Sequence, residues 1–169
     1  QNRGLAYALN RCLSLAKGDY IARMDDDDIS RADRLEKQYM FLEAHPSYQW
    51  VGSNAALFDD GGVWGMLQVP ERPHSEDFLS NSPYIHPSVL FRKTALVQIG
   101  GYSLAPRHRQ LEDYELFMRL HHNGLRGYNL QEPLLQYRED AAAYAKRGYR
   151  RRIREARLRL EGFRKLGLL

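Results

Sequence analysis

Apolar positions recur along this chain in two rhythms. In "LAYALNRCLSLAK" (5–17), Leu5, Leu9, Leu13 and Ala16 share one face at helical spacing, and Gly18 supplies a stop. The apolar run at 20–24 has the length of a short strand and leads straight into four aspartates. "SRADRLEKQYMFLEAHP" (30–46) returns to the helical period. Ser30 is its candidate N-cap, with Asp33 three positions on, Leu35, Tyr39 and Leu42 as the buried stripe, and Pro46 at the end. "WVGSNAALF" (50–58) predicts a strand, "DDGG" (59–62) a turn, and "VWGMLQV" (63–69) the returning strand of a hairpin. A loop with a short helix is expected over 70–83, then a strand over 86–92 and a short helix closed by Gly100 and Gly101. "LEDYELFMRLHHNG" (111–124) predicts a helix with Leu116, Phe117 and Leu120 inward and Gly124 at its stop. "RGYNL" and "PLLQY" predict two further short strands. Helices and strands alternate and then mix. The expectation is an α/β protein with a mixed, mostly parallel sheet flanked by helices.

At 169 residues, 43% hydrophobic and 27% charged, the chain fits a soluble domain with its own core. No stretch is long and apolar enough to span a bilayer. The one cysteine, Cys12, has no partner for an internal disulfide, which fits a reducing cytoplasm. The net charge of +4 hides an asymmetry. Residues 146–165 carry ten Lys/Arg against two Glu, a balance of +8, so the rest of the chain stands at −4. This divides the chain into a mildly acidic body (1–140) and a basic tail (141–169). In the tail, Tyr149, Ile153, Ala156, Leu160 and Phe163 recur at helical spacing among the arginines. Two readings stay open for this amphipathic helix. It packs back on the body with its basic side solvated, or it docks on an anionic membrane, at the inner face. Nucleic acid is disfavoured, because no aromatic platform or binding motif accompanies the charge.

"YIARMDDDDIS" (20–30) carries the candidate chemistry. A helix cap needs one side chain, which leaves three aspartates unexplained. In an extended chain Asp25 and Asp27 point to the same side, beyond the carboxyl end of the strand, where open α/β sheets bind ligands. Two hard oxygen donors there suit Mg²⁺ or Mn²⁺. A calcium EF-hand loop is excluded, since Ile29 and Ser30 stand where it needs a fifth-position ligand and a glycine. The D-x-D-x-T/V motif of phosphatases with an aspartyl nucleophile fits poorly but stays open. Glu112 and Asp113 open a helix, where acidic residues complement the dipole. Beside a metal-type carboxylate pair, they also supply a general base for metal-assisted group transfer. Phosphoryl and nucleotidyl transfer fit these parts, and so does a non-catalytic interaction domain that keeps the same core.

Four segments go further. "NRGLAYALNRCLSLAKGDYIARMDDDDISRADRLEKQ", "HPSVLFRKTALVQIGGY", "EDYELFMRL" and "LLQYRED" resemble, in order, segments of family 2 glycosyltransferases of the GT-A fold. The resemblance implies a Rossmann-like GT-A domain and an inverting, metal-dependent transfer from a nucleotide-diphosphate sugar, a UDP-sugar by preference, to a saccharide or lipid-linked acceptor. It implies that Asp27, with Asp25, holds Mn²⁺ or Mg²⁺. It places Asp25, Asp28, Asn2 and Gly4 at the nucleotide-sugar, with Asp28 serving the donor sugar or the helix cap. Asp113 matches the catalytic base, and Glu112, His86 and Arg92 the acceptor or sugar site. The family's first nucleotide-binding strands lie upstream of such a lead-in, so the chain is expected to be the C-terminal part of that domain.

Overall fold

The computed structural model describes residues 3–139 and 149–169. Its sheet has six strands: β1 (Tyr20–Ala22), β2 (Ile29–Ser30), β3 (Trp50–Asp59), β4 (Gly62–Leu67), β5 (Leu90–Arg92) and β6 (Gly127–Arg138). They are ordered β1-β5-β3-β6-β2, with β4 paired to β3. The sheet is mixed and helix-flanked as expected, but its balance needs correcting. Among the described residues only β3 and β6 pair in parallel, and the other four pairings are antiparallel. The reason is β5. Strands β1 and β3 run the same way, but β5 lies between them and is antiparallel to both.

The pleat sends neighbouring residues to opposite faces. Trp50 and Phe91 join a core with α1 (Leu5–Leu15), α3 (Lys93–Gln98), α4 (Glu112–His122) and α5 (Tyr149–Lys165). Val51 and Leu90 face the other way, onto Leu42 of α2 (Arg34–Ala44). Leu116, Phe117 and Leu120 of α4 are fully buried, as their spacing predicts. Each such side chain contributes roughly 1.5–3 kcal/mol by leaving water. Gly127 opposes Trp50 so closely that a Cβ would collide with the indole. Where two short strands were expected, β6 is one. Pro133, which has no N–H to offer, sits opposite Asn54 where the ladder shifts register.

Two helices turn a different face inward from the one their apolar spacing predicts. Helix α2 starts at Arg34, not at Ser30, and its N-cap is Asp33. It buries Arg34, Gln38 and Leu42, while Leu35 and Tyr39 stay about half exposed. Hydrogen bonding decides this. Gln38 Nε2 donates to the carbonyls of Val51 (3.1 Å) and Ser88 (2.6 Å), and Arg34 Nη1 to those of Pro87 (2.8 Å) and Arg23 (3.3 Å). Helix α5 packs on the body through Leu158, Gly162, Phe163 and Leu166. Gly162 lies against Met118, where a Cβ would clash. Of its predicted apolar stripe only Phe163 packs inward. Tyr149, Ile153, Ala156 and Leu160 face solvent.

Candidate active site

The aspartates occupy the loop between β1 and β2. The Arg23 N–H makes a last sheet-like bond to the Val89 carbonyl (2.9 Å), and the chain then leaves the sheet. Asp25, Asp27 and Asp28 bring carboxylate oxygens within 4.8 Å of one another, while Asp26 is exposed and lies outside the cluster. Asp28 is 7% exposed, and its Oδ1 accepts from the Arg138 N–H (2.9 Å) at the end of β6. Its Oδ2 is buried with no partner. Burial, reinforced by the charges of Asp25 and Asp27, pushes its carboxyl up to about 6 against the pull of the Arg138 N–H. Since α2 begins six residues later and is capped by Asp33, Asp28 is not its cap. Three convergent hard donors, one with an orphaned buried oxygen, fit a divalent cation. Bringing them together without one is unfavourable.

Asp25 also lines a cleft of about 740 Å³, shared with Arg23, His86, Asp113 and Tyr137. These residues come from four separate segments: the β1–β2 loop, the turn before β5, the first turn of α4 and the end of β6. Arg23 is 7% exposed and its Nη1 lies 2.6 Å from Asp25 Oδ2, an ion pair inside the cleft. Asp113 is half-buried. Burial raises its carboxyl above the usual range and Glu112 adds to this, while backbone N–H groups of α4 and the charge of Arg23 act against it. A carboxylate raised in this way is a better proton acceptor.

His86 is held from behind. Its Nε2 meets the Tyr102 hydroxyl at 2.8 Å. The backbone of Tyr102 is clamped in turn by Asn10, whose Oδ1 accepts from the Tyr102 N–H and whose Nδ2 donates to the Tyr102 carbonyl, both at 2.8 Å. Gly101 makes this clamp possible. Its φ is +73° and a Cβ would strike Asn10 Oδ1. Burial, helped by Arg23, holds the His86 imidazole well below its ordinary pKa, so the ring is neutral.

The other expected residues fall elsewhere. Arg92 does not line the cleft. It donates to the carbonyls of Tyr48 (3.1 Å) and Leu42 (2.5 Å) and to the Tyr20 hydroxyl (2.8 Å), tying the end of α2 to β1 and β5. That is a structural role. Glu112 and Gly4 line a separate cavity of about 180 Å³ with Arg3, Ser103 and Arg109. Successive residues of a helix point about 100° apart, so Glu112 and Asp113 face different spaces. Asn2 lies outside the described residues. Sequence reasoning missed Arg23 and Arg34. A lone arginine inside the apolar run "YIARM" was the available signal for Arg23.

The family model "Glycosyl transferase family 2" matches residues 1–114. The chain belongs to glycosyltransferase family 2. It is 42% identical to "Putative glycosyltransferase EpsE" of Bacillus subtilis (strain 168), over 99% of this chain and 60% of that one. It is 32% identical to the Escherichia coli "UDP-Gal:alpha-D-GlcNAc-diphosphoundecaprenol beta-1,3-galactosyltransferase", over 88% of this chain and 54% of the relative. The chain thus spans somewhat over half the length of these relatives. Among solved structures it resembles a Pyrobaculum calidifontis mannosyltransferase, PcManGT, determined with GDP-Man and Mn²⁺. The TM-score is 0.59 at 22% identity, covering 98% of this chain and 44% of that one. That likeness confirms the GT-A-type fold.

Proposed function

We propose that this chain carries the metal and acceptor half of an inverting, metal-dependent glycosyltransferase active in polysaccharide or glycoconjugate synthesis. The observation that carries the reading is that Asp25, a member of the aspartate cluster, and Asp113 line one cleft. Asp27, Asp25 and Asp28 would hold Mn²⁺ or Mg²⁺, which supplies charge stabilisation for a leaving nucleoside diphosphate. Relatives support the donor class: one is named for UDP-Gal, and the mannosyltransferase was solved with GDP-Man and Mn²⁺. Asp113, with its raised carboxyl, takes the proton from an acceptor hydroxyl as that oxygen attacks the anomeric carbon. Attack from the side opposite the leaving group inverts the anomeric centre. His86 is neutral and fixed by Tyr102, so it orients hydroxyls without competing for the proton. Asp113→Asn in the intact protein tests the assignment. Transfer should fall by roughly two orders of magnitude or more with donor affinity retained. Full transfer by the variant would remove Asp113 as base.

The acceptor of the E. coli relative is, by its name, carried on diphosphoundecaprenol, a lipid. We propose the same class here, with α5 as the membrane contact. The supporting observation is the outward turn of its stripe. Tyr149 (79% exposed), Ile153 (36%), Ala156 and Leu160 (44%) share an arc of roughly 60° opposite the packed Leu158. The exposed Arg152, Arg157 and Arg164 flank this arc. Apolar residues between arginines suit the headgroup region of an anionic bilayer. A second copy of the chain would instead set arginine against arginine. Ile153→Glu with Leu160→Glu should abolish sedimentation with phosphatidylglycerol vesicles. Unchanged sedimentation would refute the contact.

A further inference from the structure

We infer that Trp64 is the stacking platform on which the acceptor saccharide lies. The two tryptophans of the chain are placed in opposite ways. Trp50 is fully buried under Tyr84 and Phe117, and Trp64 is 54% exposed. An exposed indole costs contact with water and gains no packing, and Trp64 makes no ring contact with another described side chain. Yet it lines the same cleft as Asp25, His86 and Asp113.

The backbone puts it there. Along the β3–β4 ladder, Leu57 pairs with Gly65 and Phe58 with Val63. The register shifts by one residue between those pairs, so Trp64 is the extra, unpaired residue of a β-bulge. A bulge bends its strand and re-aims one side chain, and bulges recur beside binding sites for this reason. Without the shift, Trp64 would take a regular place in the edge strand.

The neighbouring wall of the cleft is polar and offers no Lys or Arg, with Gln68, Asp77, Ser80, Asn81 and Ser82. The aspartate cluster and Arg23 lie on the β1 side. A flat aromatic surface beside amide and hydroxyl groups matches the two surfaces of a pyranose. The C–H face lies on the ring, and the equatorial hydroxyls reach the polar groups. A nucleoside diphosphate would be repelled by Asp77 and needs the side with Arg23 and the candidate cation site instead. The cation-free wall therefore takes the acceptor sugar, with its reacting hydroxyl turned towards Asp113.

This inference rests on the transferase reading, and the test separates the two. In the intact protein, Trp64→Ala should raise the acceptor KM at least tenfold for GlcNAc-α-diphosphate on a short alkyl chain, while donor affinity stays within twofold. Trp64→Tyr should recover most of the loss, which a merely structural role would not produce. Titrating methyl glycosides of glucose, galactose and N-acetylglucosamine should change the exposed-tryptophan fluorescence of the wild type, and Trp64→Phe should remove that change. An unchanged acceptor KM, weakened donor binding, or no fluorescence response to any of the glycosides would overturn the assignment. Absence of transfer by the wild type would count against the transferase reading, leaving the fluorescence titration to decide Trp64.

Discussion

Arg34 lies beneath the candidate site without touching its cleft, and its removal has a calculable cost. The side chain is 2% exposed, and its Nη1 donates to the Pro87 carbonyl at 2.8 Å and the Arg23 carbonyl at 3.3 Å. Those two carbonyls flank the two walls of the cleft, one two residues before Asp25 and the other directly after His86. Arg34→Met keeps most of the volume and removes both bonds. A hydrogen bond from a charged donor is worth about 1.5–3 kcal/mol, and the longer contact falls below that range. Its Nε is buried with no partner, so removing the guanidinium also relieves a desolvation cost. The net loss is about 3 kcal/mol, which at roughly 2–4 °C per kcal/mol lowers the Tm by roughly 6–12 °C. Differential scanning calorimetry of the intact protein reads this directly. Mn²⁺-dependent UDP binding should weaken about tenfold as the two walls relax, an effect of about 1.4 kcal/mol. Arg34→Lys keeps the charge, but its ammonium sits one bond nearer the backbone than Nη1 and reaches the two carbonyls less well, so it should recover about half of the Tm loss. A Tm within about 2 °C of wild type for Arg34→Met, well inside the smallest loss expected here, would refute the claim that this residue ties the loop to the sheet.

The aspartates separate by position. Asp27→Ala should abolish Mn²⁺-dependent UDP binding, and Asp26→Ala should leave it within about twofold. Calorimetric titration of both variants checks this, and equal losses would refute the cluster. The second case concerns acid stability. His121 bonds the Tyr84 hydroxyl at 2.9 Å, and burial lowers its imidazole to about 4. The folded state therefore holds it neutral, and its stability is fully present above pH 6.5 and lost as pH falls towards 4. The loss amounts to about 3 kcal/mol by pH 4. Urea unfolding across that range should show a steeper decline for wild type than for His121→Gln, and parallel curves would sink the assignment.

The elements legible in the sequence were those whose burial follows one local period. Helix α4 is of this kind, since Leu116, Phe117 and Leu120 meet a core that covers them fully. Helix α2 is not. Its stripe of Leu35 and Tyr39 is apolar, but the strand ends beside it present carbonyls that need donors, and Gln38 and Arg34 meet that need from the adjacent face. An unpaired buried carbonyl costs about 1–3 kcal/mol, enough to outweigh the half-burial of a leucine. No period in the sequence shows which carbonyls a distant segment leaves open. Helix α5 was misread for a related reason. It meets α4 at Gly162, and a glycine adds nothing to an apolar count while permitting the closest approach.

The site divides along the same line. The aspartates were legible because repulsion among clustered carboxylates has few explanations. Arg92 follows His86 by six residues, yet it bonds to Tyr48, Leu42 and Tyr20 and does not line the cleft. Arg23 was missed although it balances the cluster. Its charge draws down the carboxyls of Asp28 and Asp113 and keeps a proton off His86. Three carboxylates against one guanidinium leave two negative charges, which one divalent ion neutralises. A monovalent ion would leave the site at −1, and so would a divalent ion in a site without Arg23, and either balance would repel a second anion. The arginine just past the end of β1 therefore belongs to the same electrostatic unit as the aspartates that follow it.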